Sequence, residues 1–148
     1  PILKPAVELL KQFGIAAEVE VASAHRTPAK VRDFVLAAPG KGVGAFIVAA
    51  GAAAHLAGVV ASYTTLPVIG VPINATALNG MDALLSTVQM PSGIPVATMA
   101  INGAKNAAIF AAQIFAVSDK ELAKKLADYR GEMVEGVEKK AARVKAQL

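Results

Sequence analysis

"IAAEVEVASAHRTPAK", residues 15–30, is the stretch on which the fold turns. Ile15, Ala17, Val19 and Val21 are apolar and Glu18 and Glu20 stand between them, an alternation that predicts a β-strand over Ile15–Val21. Thr27 followed by Pro28 reads as a helix N-cap with proline in the first turn. Ser23–Arg26 is then a strand-to-helix loop, and in open α/β sheets such loops, at the carboxyl ends of strands, are where ligands bind.

Outward from this unit the same alternation repeats. Upstream, Ile2, Leu3, Ala6, Val7, Leu10 and Phe13 recur at helical spacing and stop at Gly14, a C-cap residue. Downstream, a helix with Val31, Phe34 and Val35 inward leads through Pro39–Gly42 to the buried-strand run "AFIVAA". "GAAAHLAG" opens a small-residue helix reaching about Tyr63, and "LPVIGVP" is a short strand bounded by its prolines. A helix near Met81–Val88, a strand over Pro95–Ile101 and a nearly all-apolar helix in "GAKNAAIFAAQIFAV" follow. Ser118 and Glu121 match a capping box for a long charged helix running toward Leu148. Strict alternation with short connections predicts one α/β domain: a three-layer, doubly wound parallel sheet with helices on both faces and a long C-terminal helix.

Composition narrows the function. At 148 residues, 55% hydrophobic and with mean hydropathy +0.50, the chain can bury a real core. Zero cysteines remove disulfides and thiolate metal sites, and two histidines without a local carboxylate cluster predict no metal. The richest apolar region, Ala45–Ala61, is broken by Gly51, His55 and Gly58, so no membrane span is expected and the protein is read as soluble and cytoplasmic. A formal charge of +4 suits an anionic ligand, yet aromatics at 5% and no Trp leave little to stack on bases, which argues against nucleic acid.

Both histidines fall at carboxyl ends of consecutive predicted strands and are expected to face one crevice. Alone, His25 reads as a loop residue capping a turn; in a crevice it is a proton-transfer group. Arg26 is either a surface cation or a two-pronged grip for phosphate or carboxylate. Ser23 can simply satisfy local backbone. His55 can be packing at a helix start, although Gly51–Ala54 permit close backbone approach to a ligand and a helix N-terminus favours anions.

"SAHRTP", "GAAAHLAG", "LPVIGVP", "MDALLSTVQMPSGIPVAT" and "NAAIFAAQI", in this order and spacing, resemble the class I 5-(carboxyamino)imidazole ribonucleotide mutase family of purine biosynthesis over nearly the whole chain. The resemblance implies a flavodoxin-like fold, an octamer, and transfer of a carboxylate from the exocyclic nitrogen of an aminoimidazole ribonucleotide to its ring carbon without cofactor or metal. Carried onto these residues, it makes His25 catalytic and Arg26 a phosphate contact. Ser23 and Ala24 then line the pocket, and Gly51, Ala52, His55 and Leu56 bind substrate in the second loop.

Two features depart from that pattern. Ala52 replaces a frequent Gly, and Ala57 a usual Pro. Family members also open with a strand and a Gly-Ser-x-Ser-Asp loop that are not found in residues 1–148, and a sheet in the order 2-1-3-4-5 without its central strand leaves both neighbours unpaired. The expectation is that the sequence is part of a longer protein. Two other functions compete: a carboxylase that uses free carbon dioxide, and a non-catalytic truncated subunit. Assembly is expected from "NAAIFAAQIFAV", whose apolar residues surround the helix: one face meets the sheet, and the other is predicted to pack against further copies. The competing expectation is that the terminal helix folds back over it through Leu122, Leu126 and Val134.

Overall fold

"FIVAAG" forms β1 (Phe46–Gly51) in the computed structural model, which describes residues 1–147. β1 pairs in parallel with β2 (Val68–Ile73), from Phe46 opposite Val68 to Gly51 opposite Ile73. β3 is only Ala97–Thr98, parallel to Ile69 and Gly70, so the sheet order is β1-β2-β3. The strand expected over Pro95–Ile101 is thus reduced to its middle. Beyond Thr98 the chain stays near β2 through single bonds, Met99 N–H to the Gly70 carbonyl and Asn102 N–H to that of Pro72, each 2.8 Å. Pro72 lies inside β2 near its end rather than beyond it.

Strand alternation sorts the core into two layers. Phe46, Val48 and Val68 face α2 (Pro28–Ala37) and α3 (Leu56–Ser62), where Val31, Val35, Ala57 and Val60 are buried. Ile47, Ala49, Ile69 and Val71 face α1 (Lys4–Phe13) and α5 (Ala104–Ala116), with α6 (Lys120–Lys145) packed outside them. α4 (Met81–Val88) closes over Gly70, where a Cβ would lie only 2.5 Å from the Thr87 methyl; glycine is what permits that approach. Gly14 ends α1 at φ 80°, as its position predicts.

Three expectations are corrected. First, Ile15–Val21 forms no strand: residues 16–22 make no backbone-to-backbone hydrogen bond among the described residues, and Val19 and Val21 are exposed. The alternation is strand-like, but a strand needs a partner, and none lies beside it. The segment is held instead by side chains, Glu18 on Lys41 at 2.8 Å and Glu20 on Lys30 at 2.7 Å. The hydrogen bond from Lys30, and then that from the Val21 N–H, hold the Glu20 carboxyl below its ordinary pKa.

Second, α5 meets not only the sheet but also α1 and α6 of its own chain, with most of its alanines buried and Ile109, Phe110, Ile114 and Phe115 half-buried. Its buried Ala104, Ala107, Ala108, Ala111 and Ala112 let α1 and the sheet close in, and α6 folds back through buried Leu122 with Leu126 and Tyr129. Val134 stays exposed. Third, Ser118 does not cap α6. Asp119 does, its carboxylate accepting from Leu122 N–H at 3.0 Å, while the Ser118 hydroxyl turns back to the Phe115 carbonyl. Thr27 likewise precedes α2 without a side-chain cap, because its hydroxyl is used elsewhere.

Among the described residues no helix is long and apolar enough to cross a membrane.

Candidate functional site

The loop before α2 is closed by its own polar side chains. Thr27 Oγ1 accepts from Ser23 N–H at 2.8 Å and donates to the Ser23 carbonyl at 3.1 Å, which also receives Thr27 N–H at 2.9 Å. Ser23 Oγ accepts from Arg26 N–H at 3.2 Å. These four bonds bend Ala24–Arg26 into a turn that aims His25 sideways while leaving the Arg26 side chain in solvent. Ser23 therefore acts through the loop's shape. Arg26 forms no ion pair among the described residues and stays open to an anion.

The second loop leaves the carboxyl end of β1. At Gly51 a Cβ would stand 2.7 Å from the Ala75 methyl, so only glycine lets the chain pass that close to the loop after β2. Ala52 and Ala54 then adopt left-handed backbone, φ 54° and 41°, which turns the chain sharply into α3. For alanine that conformation costs ~1–2 kcal/mol per residue. The turn is closed by Ala54 N–H to the Gly51 carbonyl at 3.1 Å and delivers His55 to the position just before Leu56, the first residue of α3. Ala54 and Ala57 are buried beneath it.

The two loops meet. His25 Nε2 and His55 Nδ1 are 2.7 Å apart, with the rings edge to face and their centroids 4.8 Å apart. One of these nitrogens donates and the other accepts, so the neutral pair has two arrangements. Either His25 donates and its Nδ1 is bare, or His55 donates and its Nε2 is bare. A proton taken up at one end of the pair can leave from the other. Both rings are solvent-exposed, and with Arg26 beside them the site offers a base, an acid and a fixed cation at the carboxyl edge of the sheet.

His25, Arg26, Gly51, Ala52, His55 and the loop-shaping Ser23 are thus gathered on one edge, with Ala24 half-buried in the first turn and Leu56 half-buried at the start of α3. The loop after β2 was not singled out from sequence. Asn74 N–H donates to Asn102 Oδ1 at 3.0 Å, and Asn102 itself is left-handed at φ 59°. The positional signal was there: both asparagines follow strands of a parallel sheet. Among the described residues no three His, Asp or Glu side chains gather as a metal site.

Residues 1–136 match the model of a family described as AIR carboxylase. The N5-carboxyaminoimidazole ribonucleotide mutase of Pyrococcus horikoshii is 50% identical over 144 residues, 97% of this chain and 81% of that protein. The mutase of the same name from Methanocaldococcus jannaschii is 55% identical over 132 residues, covering 89% and 82% of the two chains. The crystal structure of Treponema denticola PurE superposes with a TM-score of 0.84 at 28% identity, over 96% of this chain and 89% of that one.

Proposed function

Because this chain belongs to the AIR carboxylase family, we infer that it is a mutase of purine biosynthesis, converting 5-(carboxyamino)imidazole ribonucleotide into 4-carboxy-5-aminoimidazole ribonucleotide. The observation that carries the chemistry is the His25–His55 contact at 2.7 Å.

The reaction moves a carboxylate from nitrogen to carbon and a proton from carbon to nitrogen. Loss of carbon dioxide from the carbamate leaves a neutral amine once the nitrogen takes up a proton. The electron-rich ring carbon attacks the trapped carbon dioxide, and the proton on that carbon must then depart. His25 supplies the first proton and accepts the second, ending the cycle as it began. His55, bonded to its Nε2, fixes which nitrogen of His25 is bare at each stage. Arg26 holds the phosphate; Ser23 and Ala24 on one loop, and Gly51, Ala52 and Leu56 on the other, form the walls. Small side chains suit a pocket that keeps carbon dioxide beside its acceptor and limits water. No cofactor enters this scheme.

We further propose that residues 1–148 work as one domain, in the cytoplasm, and that copies of it assemble into an octamer. What supports assembly is an apolar stripe left open on α4 and the turn before it: Leu78, Met81, Leu85 and Val88 are each about half exposed or more.

The test is His25→Asn in the intact protein. Its expected result is a loss of interconversion of about 10²- to 10⁴-fold, the usual worth of a proton-transferring side chain, with an unchanged circular dichroism spectrum. Near-normal turnover by the folded variant removes His25 from the chemistry. A carboxylase acting on free carbon dioxide would instead form product from the uncarboxylated aminoimidazole ribonucleotide at a rate set by added bicarbonate, and assay of both substrates separates the two.

A further inference from the structure

The loop after β2 takes no part in the histidine contact, yet it is wedged between the start of α4 and the turn that delivers His55. β1 and β2 end side by side, Gly51 opposite Ile73, so the chain after each strand leaves the sheet beside the other. On one side the Ala75 methyl occupies the space of a Gly51 Cβ, which would stand 2.7 Å from it. On the other, Gly80 is buried just before α4 at φ 85°; a Cβ there would lie 3.3 Å from the Asn74 Cα and 2.7 Å from the Ile101 side chain. Asn74 and Ala75 thus each rest on a glycine, one at the head of α4 and one at the head of the His55 turn.

This loop is tied at both ends. Asn74 N–H donates to Asn102 Oδ1 at 3.0 Å, while Thr76 Oγ1 donates to Asp82 Oδ2 at 2.8 Å and accepts from Leu78 N–H at 3.2 Å. Asp82 stands in the first turn of α4, whose Ala83 and Thr87 are buried, so its carboxylate is carried on a fixed element. Favouring the helix dipole would ask only for a carboxylate in water. Asp82 is instead half-buried, with Oδ1 lacking a hydrogen-bond partner among the described residues. That arrangement costs stability, and the bond to Thr76 is what the other oxygen makes of it.

We propose that Thr76 and Asp82 are positioning residues for His55: their bond holds residues 74–76 as a strut between α4 and the turn after β1, and so keeps His55 against His25. The turn needs such support. Ala52 and Ala54 carry left-handed backbone, a conformation that persists where its surroundings hold it, and the strut touches the residue from which the turn starts. The inference rests on the two histidines being the reacting pair for its effect on rate alone; its geometry is tested without substrate.

The test is Thr76→Val in the intact protein, which keeps the side chain's shape and removes its hydroxyl. The crystal structure of the variant is expected to show His25 Nε2 and His55 Nδ1 separated beyond about 3.5 Å, the limit of a hydrogen bond. Ala75→Gly, which removes the methyl that meets Gly51 and leaves the Thr76 bond in place, should reproduce that separation. In Thr76→Val, kcat should fall about tenfold, as for a slightly misplaced reacting group, while KM stays within about twofold because Arg26 is untouched. Thr76→Ser, which keeps the hydroxyl, should retain the contact and the rate. In a His55→Ala background Thr76→Val should cause no further loss, since the strut then has nothing to position. Variant structures that keep the 2.7 Å contact overturn the proposal. So does an equal fractional loss of kcat in both backgrounds, which would place the effect of Thr76 elsewhere. Separated histidines with unchanged turnover uphold the strut and instead remove His55 from the chemistry proposed above.

Discussion

Ala52 sits at φ 54° in the turn that delivers His55, a conformation that glycine adopts freely and alanine does not. Ala52→Gly is therefore expected to stabilise the folded chain by ~1 kcal/mol, less the entropy glycine adds to the unfolded chain, measured as an increased urea midpoint with unchanged slope. Gly51→Ala should do the opposite, since its Cβ would press on Ala75 at 2.7 Å and push the loop after β2 away. At the histidines, His55→Ala is expected to reduce turnover less than His25→Asn and to change the shape of the pH–rate profile, because His25 Nε2 loses the partner that sets its tautomer. An identical pH profile in the folded variant would reduce His55 to packing. The meeting of these two side chains was expected from sequence on the rule that loops following parallel strands share an edge; the loop with His55 does follow β1, whereas the one with His25 follows extended backbone that pairs with no strand. The left-handed alanines were not expected, because nothing in Ala-Ala-Ala states a positive φ.

At the scale of elements, what local chemistry decides was readable, and what a distant partner decides was not. Gly14 as a terminator, Pro28 in a first turn and the bounds of α4 each depend on neighbours within one or two turns. Ile15–Val21 has the alternation of a strand, yet alternation describes a face and supplies no hydrogen-bond partner. The apolar pattern of α5 implied more contact than a sheet alone gives but could not say with what; α1 and α6 of the same chain pack on it, leaving Ile109, Phe110, Ile114 and Phe115 half-buried. The cap of α6 separates two adjacent residues in a way that can be measured. Asp119→Ala should cost ~1 kcal/mol of stability through loss of the bond to Leu122 N–H, whereas Ser118→Ala, whose hydroxyl lies a long 3.4 Å from the Phe115 carbonyl, should be nearly neutral. Reversed values in chemical unfolding would restore Ser118 as the cap.

For the whole molecule, the packing of α1 and α6 on α5 shifts the question of assembly to another surface. Met81, Leu85 and Val88 are 51%, 50% and 47% exposed and fall at spacings of four and three residues, which sets them along one side of α4, and Leu78 in the turn before it is 64% exposed. Thr87 and Ala83 on the same helix are buried against the sheet, so the stripe is the face turned away from the core. A face of this kind in a chain with 18% charged residues is unfavourable in water unless something covers it. Closed symmetry lets a copy of the same stripe do so, with each helix as the other's partner. The expected particle at micromolar concentration is a multiple of the 15.1 kDa chain, eight in the assembly proposed above. Leu85→Glu puts a charge at the middle of the stripe without touching the buried side of α4, and should lower the mass seen by light scattering while leaving the circular dichroism spectrum unchanged. If the variant keeps the parent's mass, α4 is not the contact; if the parent is itself an active 15.1 kDa particle, the site is complete within one chain and the stripe needs another cover.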